Sequence, residues 1–169
     1  VVGGSLGARA LNEIVPQALA LIAAAQRPVV THQSGASQID ALRANYEAAG
    51  VQADCTPFIE DTATAFADAD IIVCRAGAST VTEIAAVGAA AIFVPFPSAV
   101  DDHQTTNAQF LVDAGGGWLV QQRDLTPEGL SQMLLKLERP ALVDIALKAK
   151  NMQKINATRE VVTACEELA

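Results

Sequence analysis

Aromatic residues are scarce in this sequence, 4% of 169 residues with one tryptophan and one tyrosine, while 51% of the chain is hydrophobic. A core with so few large rings is assembled from Ala, Val, Ile and Leu, which suits helices packed closely on a buried parallel sheet. Charge is limited too, at 18%, and positive charge most of all: 11 Lys and Arg face 19 Asp and Glu, a formal net charge of −8. Many of the basic groups come late, at Arg123, Lys136, Arg139, Lys148, Lys150, Lys154 and Arg159. No basic face can form on that balance, which argues against a nucleic-acid partner. The three cysteines, Cys55, Cys74 and Cys165, are far apart and cannot all pair, so a reducing compartment fits. No stretch approaches the ~20 apolar residues of a membrane span, and no basic-then-apolar leader precedes a cleavage site. An opening methionine is also missing: Val1-Val2-Gly3-Gly4 reads as the tail of a truncated strand, so the chain is expected to start inside a domain.

What is present alternates. After Gly7, apolar residues at Leu11, Ile14, Val15, Ala18, Leu19 and Ile22 have helical spacing. The pattern then predicts a strand over Pro28 to Thr31, a helix around Ile39, Leu42 and Tyr46, a strand near Ala53 to Thr56, and a helix near Thr62 to Ala67. Ile71 to Cys74 is the clearest buried strand, and Cys74 at its end reads as a small core hydrophobe. A helix from Thr80 to Val87, a strand from Ala90 to Val94, a helix from Thr105 to Ala114 and a strand from Trp118 to Val120 follow. Only helices remain, over Pro127 to Leu137, Ala141 to Lys150 and Ala157 to Leu168. The expected fold is α/β, a Rossmann-like doubly wound parallel sheet, as one domain over residues 1–169 with a helical C-terminal appendage over 140–169. In such a sheet ligands bind at the carboxyl ends of the strands, and that rule selects the motifs that matter.

Gly3-Gly4-Ser5-Leu6-Gly7-Ala8 lies between a strand end and a helix start, where glycines permit a tight turn and free N–H groups favour a phosphate. Its bland reading is a plain βα turn. The glycines are out of register for a dinucleotide fingerprint, and Thr31-His32-Gln33 stands where that fingerprint needs an acidic residue. A Walker loop is excluded because no Gly-Lys-Ser/Thr occurs. Gly3-x-Ser5-x-Gly7 also fits the nucleophile elbow of an α/β-hydrolase, with aspartates at 70, 101 and 102 ahead of His103. That fold places several strands before the elbow, whereas this sequence opens on it at Val1, so the hydrolase is not the expected reading.

A second glycine turn, Arg75-Ala76-Gly77-Ala78-Ser79-Thr80, enters another helix, and two such loops suit a diphosphate. Glu83 is either a ribose acceptor at the crevice or the partner of Thr80 in a capping box. Asp101-Asp102-His103 invites a metal, but consecutive side chains diverge and no second cluster adds ligands, so no metal is expected. Gln104 and Asn107, three apart at a helix start, can turn both amides to one polar target such as sugar hydroxyls; the bland alternative there is capping by Asp101 or Asp102. Asp68-Ala69-Asp70 precedes its strand and falls on the edge away from the crevice, so it reads as loop solvation.

Taken in order, Gly3 to Arg9 with Leu11-Asn12, His32 to Gly35, Phe58 to Asp61, Ala69-Asp70 through Ala78 with Thr80 and Glu83, Phe93 to Phe96, and Asp102 to Gln104 with Asn107-Ala108 resemble the C-terminal, donor-binding domain of MurG-type glycosyltransferases over essentially the whole chain. The resemblance implies one half of a GT-B fold that binds UDP-N-acetylglucosamine, with no cofactor, for inverting transfer to a lipid-linked muramoyl-pentapeptide in peptidoglycan synthesis. It implies a peripheral place on the cytoplasmic side of the bacterial inner membrane for the full-length protein. It also implies that Gly4, Ser5 and Gly7 approach the diphosphate, that Phe58 and the Ile59 main chain meet the uracil, and that Ala78, Ser79 and Thr80 line the second phosphate loop. Glu83 would hold the ribose, and Gln104 with Asn107 the N-acetylglucosamine. Acceptor site and catalytic base are expected in an N-terminal domain without counterpart here, so no catalytic residue is assigned and this segment alone is expected to be inactive. The competing functions are a serine hydrolase built on Ser5 and a non-catalytic nucleotide-sugar-binding module.

Overall fold

The computed structural model describes residues 1–4, 8–97 and 102–168. Helix α1 spans Arg9–Ala20, and its i, i+4 set Leu11, Val15 and Leu19 is buried with Ala18. Pro16 sits inside it and has no N–H for the Asn12 carbonyl one turn back. That carbonyl instead accepts from Asn45 Nδ2 at 2.9 Å, a bond that ties α1 to helix α2, Ile39–Ala49. Arg27 closes the far ends of both helices: its guanidinium donates to the Leu19, Ala20 and Ile22 carbonyls and to that of Gly50.

The strands are short. β1, Thr31–Gln33, pairs in parallel with β2, Asp54–Thr56; β3, Ile72–Cys74, pairs in parallel with β4, Ala91–Phe93, which pairs with β5, Trp118–Leu119. Val2 bridges Gln33 on one side and Cys74 on the other, both in parallel, and so joins the two strand groups. Period-two alternation then sorts the side chains between two cores. Val73, Ile92 and Val94 face α1, α2 and helix α6, Pro127–Lys136. Ile72, Cys74, Ala91 and Phe93 face helices α3, Thr62–Ala67, α4, Ala78–Val87, and α5, His103–Val112. Helix α7, Arg139–Asn151, packs on α4, and its Ala149 is fully buried. Gly116 permits that approach, since a Cβ there would lie 2.9 Å from Ala149 Cα. Helix α8, Ala157–Glu167, buries no residue.

The helices match the spacing-based expectation to within a residue or two at most boundaries. One strand does not. The expected Pro28 to Thr31 strand is displaced to Thr31–Gln33, leaving Val29 fully exposed. His32 and Gln33 look like loop residues, yet both are buried: partners from other elements satisfy both ring nitrogens of His32 and the amide nitrogen of Gln33. All three cysteines are free, and burial pushes the Cys74 thiol up to about 12, so it is the inert core residue expected.

Candidate functional site

Val2 lies beside β3, so the glycine run that follows it and the Arg75–Gly77 turn that follows β3 leave adjacent parallel strands at the same carboxyl edge. Backbone bonds fix that adjacency: Val2 N–H donates to Val73 O at 2.9 Å and Arg75 N–H to Val2 O at 3.3 Å. Gly4 has φ +82°, a conformation that disfavours any side chain although the space around it is open. Ser5 and Gly7 lie outside the described residues. Helix α1 starts behind Ala8 and α4 behind Gly77, neither with a side-chain cap. The first N–H groups of both helices thus point out of the carboxyl edge without a capping side chain, on the two faces of one sheet.

The second turn is held from the crevice side. Arg75 donates to the Val94 and Pro95 carbonyls, each at 3.0 Å, and to Gln122 Oε1 at 2.6 Å, while its guanidinium lies 5.5 Å from the Phe96 ring centroid. Burial lowers its pKa. Gln104 Oε1 accepts from Ala76 N–H at 3.3 Å and Phe96 N–H at 3.0 Å, and Asn107 Nδ2 donates to Ala76 O at 3.1 Å. The two amides do converge on one polar target, as their spacing requires. In the structure that target is the Ala76 peptide.

Glu83 is exposed on α4, five residues beyond its first residue, Ala78. The capping-box alternative is overturned: the helix starts two residues earlier than the spacing suggested, so Thr80 lies within its first turn and caps nothing. Ala78 and Ser79 are exposed at the helix start and Thr80 is half-buried. Phe58 is 60% exposed beyond β2, and Ile59 is half-buried beside it. Capping of α5 by Asp102 is not seen either; Asp102 adopts φ +51° and its carboxylate accepts from the Thr105 hydroxyl at 2.7 Å. Asp101 lies outside the described residues. Asp70 is on the opposite edge, paired with Arg139 at 3.0 Å with both side chains exposed, in keeping with the solvation reading. A groove of about 540 Å³ beside Asp70 is lined by Val1, Val2, Val29, Ile59, Phe66 and Leu134 among others. Among the described residues no group of three or more His, Cys, Asp or Glu could hold a metal.

Two residues escape a motif-based reading. His32 is fully buried, its Nδ1 2.9 Å from the Tyr46 hydroxyl and its Nε2 3.1 Å from Asn12 Oδ1. An amide oxygen can only accept, so Nε2 carries the proton and Tyr46 donates to Nδ1. Burial, and secondarily the Val1 ammonium, push the imidazole down to about 3, and burial raises the Tyr46 phenol. Gln33 spans two loops, its amide nitrogen bonded to Gly4 O and Pro57 O. In the sequence both stood within the His32 to Gly35 segment of the family resemblance, with no role assigned to either.

A family model described as the glycosyltransferase family 28 C-terminal domain matches residues 1–165. The chain belongs to this family. Its curated relatives include the UDP-N-acetylglucosamine–N-acetylmuramyl-(pentapeptide) pyrophosphoryl-undecaprenol N-acetylglucosamine transferase of Paracidovorax citrulli, 79% identical over 99% of this chain and 47% of the relative. The protein of that name from Cupriavidus necator is 62% identical over the whole chain and 48% of its own length. The chain thus spans about half the length of the curated relatives it matches. A crystal structure of MurG from Acinetobacter baumannii superposes with TM-score 0.90 at 47% identity, over 98% of this chain and 50% of that one. The glycosyltransferase VinC, in complex with dTDP, shares the fold at TM-score 0.65 and 20% identity, over 99% of this chain and 41% of its own. The α/β expectation and the family resemblance both hold. The hydrolase alternative on Ser5 finds no support, since the family model and these relatives are glycosyltransferases.

Proposed function

We propose that this chain holds UDP-N-acetylglucosamine, without a cofactor, for inverting transfer to a lipid-linked muramoyl-pentapeptide in peptidoglycan synthesis. The observation that carries the reading is the 79% identity, over 99% of the chain, to a transferase named for that reaction. The geometry supports it with two glycine turns side by side at the carboxyl edge, each feeding an uncapped helix. Backbone donors from Gly4, Ser5 and Gly7 on one side and from Ala78, Ser79 and Thr80 on the other would take the two phosphates. Glu83 would accept from the ribose diol, Phe58 and the Ile59 main chain would meet the uracil, and Gln104 Nε2 with Asn107 Oδ1 would face the sugar, their other ends being engaged by the Ala76 peptide and Phe96.

Departure of UDP leaves negative charge on the diphosphate, and fixed N–H donors aimed there stabilise it without reorganising. The acceptor site and the general base are assigned to the other half of the longer protein, which would sit peripherally on the cytoplasmic face of the bacterial inner membrane. Titration calorimetry of this 169-residue chain with UDP and UDP-N-acetylglucosamine, beside a radiolabel transfer assay with the lipid-linked acceptor, tests the reading. Weak binding without transfer is expected, because no second domain closes over the ligand and no base is positioned at the acceptor hydroxyl. Turnover above background would overturn the division of labour. No binding at millimolar UDP would overturn the donor site itself.

A further inference from the structure

Among the described residues, Gln33 Oε1 is the buried side-chain polar atom with no hydrogen-bond partner. The residue is 4% exposed. Its Nε2 is committed in two directions, to Gly4 O at 3.0 Å and to Pro57 O at 3.1 Å. These carbonyls belong to different loops: Gly4 opens the turn ahead of α1, and Pro57 opens the Phe58–Ile59 segment after β2. Rotating the amide would set oxygen against both carbonyls, so the two bonds fix which way Oε1 points. The strand beneath is held as well, by Gln33 N–H to Val1 O at 2.9 Å and Ser34 N–H to Thr56 O at 3.0 Å. A buried acceptor left unpaired lowers stability, a cost that the amide's two bonds to separate loops help to offset.

We propose that Gln33 is a positioning residue of the nucleotide site: its amide N–H groups set the spacing between the diphosphate-side turn and the uracil-side segment. This rests on the donor-site reading above and adds a residue to it. One strand end thereby couples two loops. A ligand touching both loops depends on that spacing, whereas a ligand touching one does not.

The test compares UDP with uridine in calorimetric titrations of the wild-type chain, Gln33→Met and Gln33→Glu, each confirmed folded by circular dichroism. Methionine keeps the volume and removes both donors and the acceptor. Its affinity for UDP should fall about tenfold or more and its affinity for uridine by no more than about threefold. In Gln33→Glu the carboxylate repels both carbonyls, while the protonated acid can donate to one of them. Its UDP affinity relative to wild type should therefore recover as pH falls from about 8 to about 5; the ratio cancels the titration of UDP itself. Equal losses for UDP and uridine, or a flat pH ratio, would show a merely structural Gln33 and overturn the proposal. Unchanged UDP affinity in Gln33→Met alongside normal wild-type binding overturns the proposal alone, whereas a wild-type chain that binds no UDP overturns the donor-site reading together with it.

Discussion

The two turns that feed α1 and α4 leave neighbouring strands at one edge, yet they are anchored from opposite directions. On the α1 side a buried polar network lies behind the edge, in which Asn12 of α1, His32 of β1 and Tyr46 of α2 bond in series and Asn12 also donates to Gln38 Oε1 at 3.0 Å, while Gly4 is held by Gln33 Nε2. The turn ahead of α4 is gripped from the crevice by Arg75, Gln104 and Asn107, all of them only partly buried. Bonds sealed in the core govern whether that half of the sheet folds. Bonds on the crevice wall govern folding and also the shape a ligand meets. The first anchor is expected to show itself in stability and pH, the second in affinity.

Gln104→Leu should break this contrast most strongly, because it leaves the Ala76 and Phe96 N–H groups without their acceptor. A loss of about 2–4 kcal/mol, shared between unfolding free energy and UDP affinity, is expected from two orphaned donors. Urea unfolding and calorimetry would show the division; a pure stability loss would mean that the second turn does not shape the site. Glu83→Gln should cost about 1.5–3 kcal/mol of UDP affinity through a charged hydrogen bond, at little cost in stability since Glu83 is exposed. Asp70→Asn, on the far edge, serves as the control and should leave affinity unchanged. Equal losses for the two would remove the ribose role.

Acid should strike the first anchor alone. His32 is neutral when folded, with a pKa lowered from 6.5 to about 3, whereas the unfolded chain takes up a proton below 6.5. Its contribution is complete above the unfolded value and is lost as pH falls through the window from 6.5 toward about 3. By pH ~5 the loss should reach about 2 kcal/mol. His32→Gln should flatten that part of the pH–stability curve, and an unchanged slope would place the sensitivity elsewhere. Ser5→Ala should have the smallest effect, about 0.5–1.5 kcal/mol of affinity for UDP-N-acetylglucosamine, because backbone donors would carry most of the diphosphate contact. Covalent capture of Ser5 by an organophosphorus probe would revive the hydrolase instead.

Particular residues show how far spacing alone reaches. Leu11, Val15 and Leu19 announce α1, and Ile71 to Cys74 announces β3, because burial of a face imposes a period that the chain carries openly. The strand at Thr31–Gln33 was hidden because its buried residues are polar and its exposed neighbour Val29 is apolar, the reverse of the usual signal. Thr80 and Glu83 fit a capping box in spacing, and only the actual helix start at Ala78 removed it. Gln104 and Asn107 were legible as a convergent pair, while the Ala76 peptide as their common partner depended on α5 crossing the end of β3.

By itself the sequence determined the class of fold, the place of both glycine turns and the family, since each depends on local periodicity, on glycine at backbone positions that need it, and on ordered motifs along one chain. Tertiary structure decided which polar groups find one another. Gln33 reaches Gly4 across 29 positions and Pro57 across 24, and His32 reaches Asn12 across 20, separations over which no local pattern constrains a pairing. Whether a buried amide or imidazole is satisfied, orphaned or held neutral follows from the partners that the packed helices and strands bring to it, and no residue's identity states those in advance.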